Sequence, residues 1–278
     1  MSRILKSLQG KHLGLNHQME LLAPKGLVSG NHGSQFHTPS PNKVVLFDDF
    51  VDNNLAAGLA DTWLLNKGAD AGTTPTMTLL ATGVGGVLRL TTGDDGTLAA
   101  DSAQITQHGL QWQAENGGLT FQTRIKLSRI TTCWVYVGFT DVATAASLEA
   151  PIISASSANT ITTNATDAVG FMFDTRMTDD KWWTVGVATN VDATHYNTTY
   201  APVADDYATF RIEVSPTGVA TFFYNGLQVG TAMSGALAAG TELTPIVAVS
   251  NTGGTATMTL DCDYVQVSMN RAADGGAV

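Results

Sequence analysis

The chain has 278 residues, a formal net charge of −10, and only 14% charged residues, against about 25% in an average soluble protein. The acidic balance excludes a general nucleic-acid binder, which wants a basic face. No apolar run reaches the roughly 18 residues of a membrane span, and the length suits one all-β sandwich with a sizeable core.

In chain order, residues 1–43 come first and differ from the rest. They hold five basic residues (Arg3, Lys6, Lys11, Lys25, Lys43) and one acid, Glu20, so they carry +4 and leave −14 for residues 44–278. No continuous apolar stretch or small-residue cleavage site follows Arg3 and Lys6, so no signal peptide is expected. The sequons at Asn164 and Asn197 are then chance matches. Apolar residues are many for a solvated tail: Ile4, Leu5, Leu8, Leu13, Leu15, Met19, Leu21 and Leu22. Such residues want a partner, and the Gly-, Pro-, Ser- and His-rich stretch after them cannot pack by itself. The expected organisation is an extended N-terminal arm (1–43), a β body (44–270) and a flexible C-terminal tail (271–278).

From Val44 on, the pattern is β. "GLTFQTRIKLS" alternates cleanly, with Leu119, Phe121, Thr123, Ile125 and Leu127 on one face and Thr120, Gln122, Arg124, Lys126 and Ser128 on the other. "CWVYVGF" (133–139) and "VGFMFDT" (169–175) read as strands buried on both faces. The alanine-rich 142–158 reads as a long loop over a sheet face. Asn225-Gly226 predicts a type I′ hairpin, and Pro216-Thr217-Gly218 a preceding corner. In "TMTLDCDYVQVSM" the apolar set shifts from even to odd positions, which predicts a bulge near Asp263–Tyr264. The sum is an antiparallel two-sheet sandwich of about eleven to thirteen strands with no long helix.

The chain is poor in catalytic patterns. A retaining glycosidase needs two carboxylates about 5–5.5 Å apart, and acids sharing a strand face recur at i, i+2 and i+4. None of the five Glu (20, 115, 149, 213, 242) belongs to such a set. Asp261 and Asp263 share a face with Thr257 and Thr259 that is expected to meet solvent. No G-x-S-x-G occurs, and His108 and His195 show no triad partner. The pairs Asp94-Asp95, Asp179-Asp180 and Asp205-Asp206 lack regular calcium-ligand spacing, so no metal and no cofactor is expected. Cys133 and Cys262 read as buried free thiols, with a disulfide open only if their strands are neighbours. Trp182-Trp183, with Tyr196 and Tyr200, is the candidate aromatic platform for a glycan. Adjacent strand residues point to opposite faces, so one Trp faces outward unless both sheet faces are covered. The alternative is that these rings pack under a loop or across a subunit contact.

"FDDF" (47–50) with "DTW" (61–63), "LTFQTRIKLS…CWVYVGFTD", "RIEVSPTGVATFFYNGLQVGT" and "LDCDYVQVSMN" together resemble a concanavalin-like or laminin-G-like jelly-roll over residues 44–270. With an arm ahead of such a body, the chain also resembles the decoration (cement) proteins of tailed-bacteriophage capsids. That resemblance implies a non-enzymatic virion protein on the outer surface of the phage head. Its partners would be the major capsid protein and neighbouring copies of itself, as a homotrimer, gripped through the arm. The alternative it leaves is a carbohydrate-binding or receptor-binding virion module that takes a surface glycan.

Overall fold

The computed structural model describes residues 34–37, 43–51, 62–70, 72–80, 86–142, 150–154 and 159–270. Within them, nineteen strands form two antiparallel sheets and one separate hairpin. The first sheet runs β1 (Ser34–His37), β2 (Lys43–Asp48), β19 (Thr259–Asn270), β7 (Leu119–Leu127), β15 (Tyr207–Val214), β16 (Ala220–Tyr224), β17 (Leu227–Met233). Two further strands extend it, β5 (Leu88–Thr91) against β19 and β4 (Thr76–Leu79) against β5.

The second sheet runs β13 (Val191–Asp192), β12 (Trp183–Ala188), β11 (Ala168–Asp174), β8 (Cys133–Thr140), β18 (Thr244–Asn251), β6 (Ala103–Gln107), β3 (Trp63–Lys67). β14 (Tyr196–Asn197) also pairs with β12. β9 (Ile152–Ser154) and β10 (Ile161–Thr163) form the hairpin. The strands beyond the expected count are mostly of two to four residues, too short for a period of two to show.

The alternation in β7 is realised residue by residue: its five inward positions are buried and the four between them half-buried. Those inward residues meet the second sheet in one aromatic core. Phe121 packs on Phe139 at 5.5 Å, Phe171 on Phe210 at 5.1 Å and on Phe222 at 5.4 Å, all edge to face. Each buried ring contributes about 1.5–3 kcal/mol by transfer from water. Pair geometry adds about 0.5–1.5 kcal/mol.

In β19 the register slips between Cys262 and Tyr264. The inward set changes there from Leu260 and Cys262 to Val265 and Val267, all fully buried. Asn225 and Gly226 take φ of 49° and 81°, the pair of left-handed residues that a type I′ hairpin requires.

Ser34–His37, inside the segment expected as an arm, pairs with β2 as the edge of the first sheet. Pairing with the sheet thus begins ten residues ahead of Val44. Arg3, Ile4, Leu5, Lys6, Leu8, Lys11, Leu13, Leu15, Met19, Leu21 and Leu22, and the tail 271–278, lie outside the described residues. Cys133 and Cys262 sit in different sheets as buried free thiols, each pushed up to about 12 by burial.

Candidate functional site

The outer face of the second sheet is filled by its own side chains. Trp134, Tyr136, Met172, Trp183, Val185, Val187, Ile246 and Ala248 form a second buried cluster, roofed by Ala150, Ile152 and Ala165. Trp134 stacks on Tyr136 at 6.2 Å and 9° and donates its indole N–H to the Ile152 carbonyl at 3.0 Å. The Tyr136 ring lies across Gly170, where an added Cβ would come within 2.6 Å of it. Asn164 closes the roof through its side-chain amide to the Ala150 carbonyl at 2.9 Å. Of the 142–158 stretch expected as a loop over a sheet face, residues 150–154 contribute to this cover, and β9 within them pairs with β10 beyond the stretch.

That cover decides the aromatic candidates. Trp182 and Trp183 do point to opposite faces, but both faces are covered, leaving them 1% and 7% exposed. Trp182 packs in the inter-sheet core against Phe210 at 4.5 Å, and Trp183 lies under the hairpin. Neither offers a platform to a glycan, which corrects that part of the expectation. Tyr200 is half-buried and stacked on Tyr224 at 4.8 Å. Of the four, Tyr196 alone is exposed, with its ring edge over Gly230.

Four carboxylates, Asp174, Asp261, Asp263 and Glu213, are engaged in ion pairs. On β11 the positions sharing the outer face are Ala168, Gly170, Met172 and Asp174; Asp174 is buried and accepts two bonds from Arg176, at 2.9 and 2.6 Å. Asp261, expected in solvent, is 1% exposed. It is crowded by its neighbours: Arg89 holds it at 2.6 and 2.9 Å and Lys126 at 3.2 Å. Burial pushes the Asp261 carboxyl up, but these two cations outweigh it and hold the group below the usual carboxylate range. Asp263 pairs with Arg124 at 2.8 Å, and Glu213 with Arg211 at 2.9 Å.

One acidic group escaped the sequence reading. Asp70, Asp95 and Asp101 each offer a carboxylate oxygen, all within 4.8 Å of one another. Backbone amides already use them: Gly72 and Asp94 donate to Asp70, and Gly96 to Asp101, all at 2.7 Å. Burial pushes Asp101 up to about 6. These bonds staple the loop between β5 and β6, a role in which the carboxylates hold backbone. The one sequence-level signal was the Asp94-Asp95 pair, and only its second member joins the group.

The outer face of the first sheet is the open one. Register places Phe47, Gln266, Gln122, Arg211, Phe223 and Gln228 side by side across β2, β19, β7, β15, β16 and β17. At about 4.8 Å per strand the row spans roughly 24 Å. Arg211 lies 3.9 Å over the Phe223 ring, and Arg124 4.2 Å over Tyr207. Phe47 packs on Tyr264 at 5.8 Å, whose hydroxyl accepts from Gln122 at 2.6 Å. The face is thus rich in aromatic, guanidinium and amide groups, each half-buried or exposed. Its even positions on β7 were legible in the sequence; its partners on the other strands were not, because they depend on register.

No family model matches the chain, and no curated protein sequence does. Solved structures do. An endo-1,3-beta-glucanase from Streptomyces sioyaensis superposes with a TM-score of 0.54 at 14% identity, over 84% of this chain and 99% of that one. A protein of unknown function from Shewanella oneidensis MR-1 gives 0.53 at 13%, over 86% and 91%. The potassium-bound carbohydrate recognition domain of Emp46p gives 0.52 at 7%, over 79% and 93%. At these identities the likeness establishes fold. The chain is an all-β, antiparallel two-sheet jelly-roll of the concanavalin-like kind.

Proposed function

We propose that this chain is a non-catalytic structural protein of a virion, one that decorates the assembled phage head and stabilises it through the residues ahead of β1. The observation that carries the non-catalytic part is the covered outer face of the second sheet, where Trp134, Tyr136, Met172, Trp183, Val185 and Val187 are buried and the acid on β11, Asp174, is buried and paired with Arg176. The attachment rests on the leader's apolar and basic composition, which suits docking on an acidic shell or on the acidic body of a neighbouring copy. Binding only the assembled shell stabilises it by mass action. A homotrimer on the major capsid protein would add effective concentration at each contact.

Shells with and without the protein, compared for heat and salt resistance, test this; equal resistance overturns it. Removing residues 1–33, which spares β1, is expected to abolish attachment while the body stays folded by circular dichroism. Normal decoration by the truncated form refutes the role of the leader.

A second reading, a carbohydrate-binding module, is favoured by the transverse row on the first sheet. Its amides and rings recur at a spacing close to the advance of one sugar in an extended chain. The glucanase and the carbohydrate recognition domain support it at the level of fold. Saturable binding on a glycan array, lost in Gln122→Ala and Phe223→Ala, is the expected outcome; binding unaffected by both changes excludes this face.

A further inference from the structure

On one flank of the second sheet, β12 pairs with β13 through Val187 and Asp192 and with β14 through Thr184 and Tyr196. Between those pairs Val185 and Gly186 face three residues, Ala193, Thr194 and His195, so the ladder carries a bulge. Both backbone groups of Gly186 are nevertheless paired there. Its carbonyl accepts from the Ala193 amide at 3.0 Å. Its N–H donates to a side chain, the Nδ1 of His195, at 3.4 Å. The next residue, Tyr196, lays its ring on Gly230 of β17, where an added Cβ would come within 3.0 Å of it. One imidazole thus closes the bulge in one sheet and stands beside the ring that covers the edge of the other.

A ring nitrogen that accepts carries no proton, so the proton of the neutral imidazole is on Nε2. Nε2 is buried and meets no partner among the described residues. A second proton would go onto Nδ1, against the Gly186 N–H. It would also place a positive charge where neither nitrogen finds an acceptor. β12 and β17 carry no titratable side chain. The charge that acts on the ring is that of Asp192, which favours the cation but is exposed and already accepts from the Thr163 hydroxyl at 2.6 Å. Burial outweighs it and pushes the imidazole below its ordinary value near 6.5.

We propose that His195 is an acid-released latch on the segment 191–197: neutral, it closes the bulge and keeps Tyr196 over β17; protonated, it lets the segment swing clear and bares the edges of both sheets. The sign follows from where the proton is preferred. A released ring titrates near 6.5, so the latch holds above that value. Each pH unit below it favours the open segment by up to about tenfold, until the closed form takes up the proton too. The latch rests on neither the leader nor the transverse row.

Amide hydrogen exchange and NMR on the full chain, from about pH 7.5 to about pH 5, test it. After correction for the intrinsic exchange rate, the Gly186 and Ala193 amides are expected to lose protection by about tenfold or more, while the amides of β11 keep theirs. The nuclear Overhauser contact between the Tyr196 ring and Gly230 is expected to fade with them. His195→Asn offers an acceptor in the place of Nδ1 and cannot titrate, so it is expected to keep the neutral protection and lose the acid opening. The ring nitrogens of the unaltered chain give a reading that needs no variant: an Nε2–H tautomer that titrates below about 6.5. Protection that does not change with pH, acid opening that persists in His195→Asn, or a neutral ring protonated on Nδ1 overturns the inference.

Discussion

The two sheets share one inner chemistry and have opposite outer ones. β7 and β15 turn arginine, glutamine, threonine and glutamate outward; β8, β11 and β12 turn out tryptophan, tyrosine, methionine and valine. The second sheet must then be roofed, and it recruits its own loop to do so. The first sheet neutralises its face sideways, with cations laid over rings and carboxylates. The lesson is that a jelly-roll can close one outer face with its own side chains and hairpin while leaving the other available for contact.

That contrast can be broken by mutation. The largest effect is expected from Trp134→Ala under the roof, a loss of about 3–5 kcal/mol typical of buried aromatics, read from the urea midpoint. A loss below about 1 kcal/mol would mean that the hairpin is dispensable cover.

The next effects are pH-dependent and of opposite sign. Asp261 is held below its ordinary pKa near 4, so its contribution is present above that value and drains away as pH falls through the lower folded one. Asp101 is pushed up to about 6, so its contribution is complete below about 4 and is lost as pH rises through about 6. Urea midpoints across pH should therefore show Asp261→Asn flattening the acid limb and Asp101→Asn flattening the limb between about 4 and 6. Both limbs unchanged would remove the assigned roles.

The smallest effect is expected on the open face. Phe223→Ala should cost within about 1 kcal/mol, as for surface positions, and register in ligand binding instead. A core-sized loss there would show that the face is structural.

The fold was legible where burial is one-sided. Alternation in "LTFQTRIKL" fixed which residues of β7 point inward, and the parity change in β19 located its bulge, because both are local consequences of a two-residue period. Trp182 and Trp183 were correctly sent to opposite faces. That both faces are covered depends on a loop some thirty residues earlier, which strand periodicity cannot report. Asp261 was misread for the same reason: its cations arrive from β5 and β7, and pairing across 172 residues leaves no trace in the neighbouring sequence. The Asp70–Asp101 group and the transverse row likewise exist only once register is set.

The interruption of β17 bears on how such bodies crowd together. Gly230, Thr231 and Ala232 stand opposite the single Thr221, Gly230 takes φ of 68°, and the Tyr196 ring covers that spot. A flat outermost strand would invite another molecule to continue the ladder. Here the backbone turns away under an aromatic lid, so bodies packed densely on a common surface can touch along this flank without fusing into a fibre.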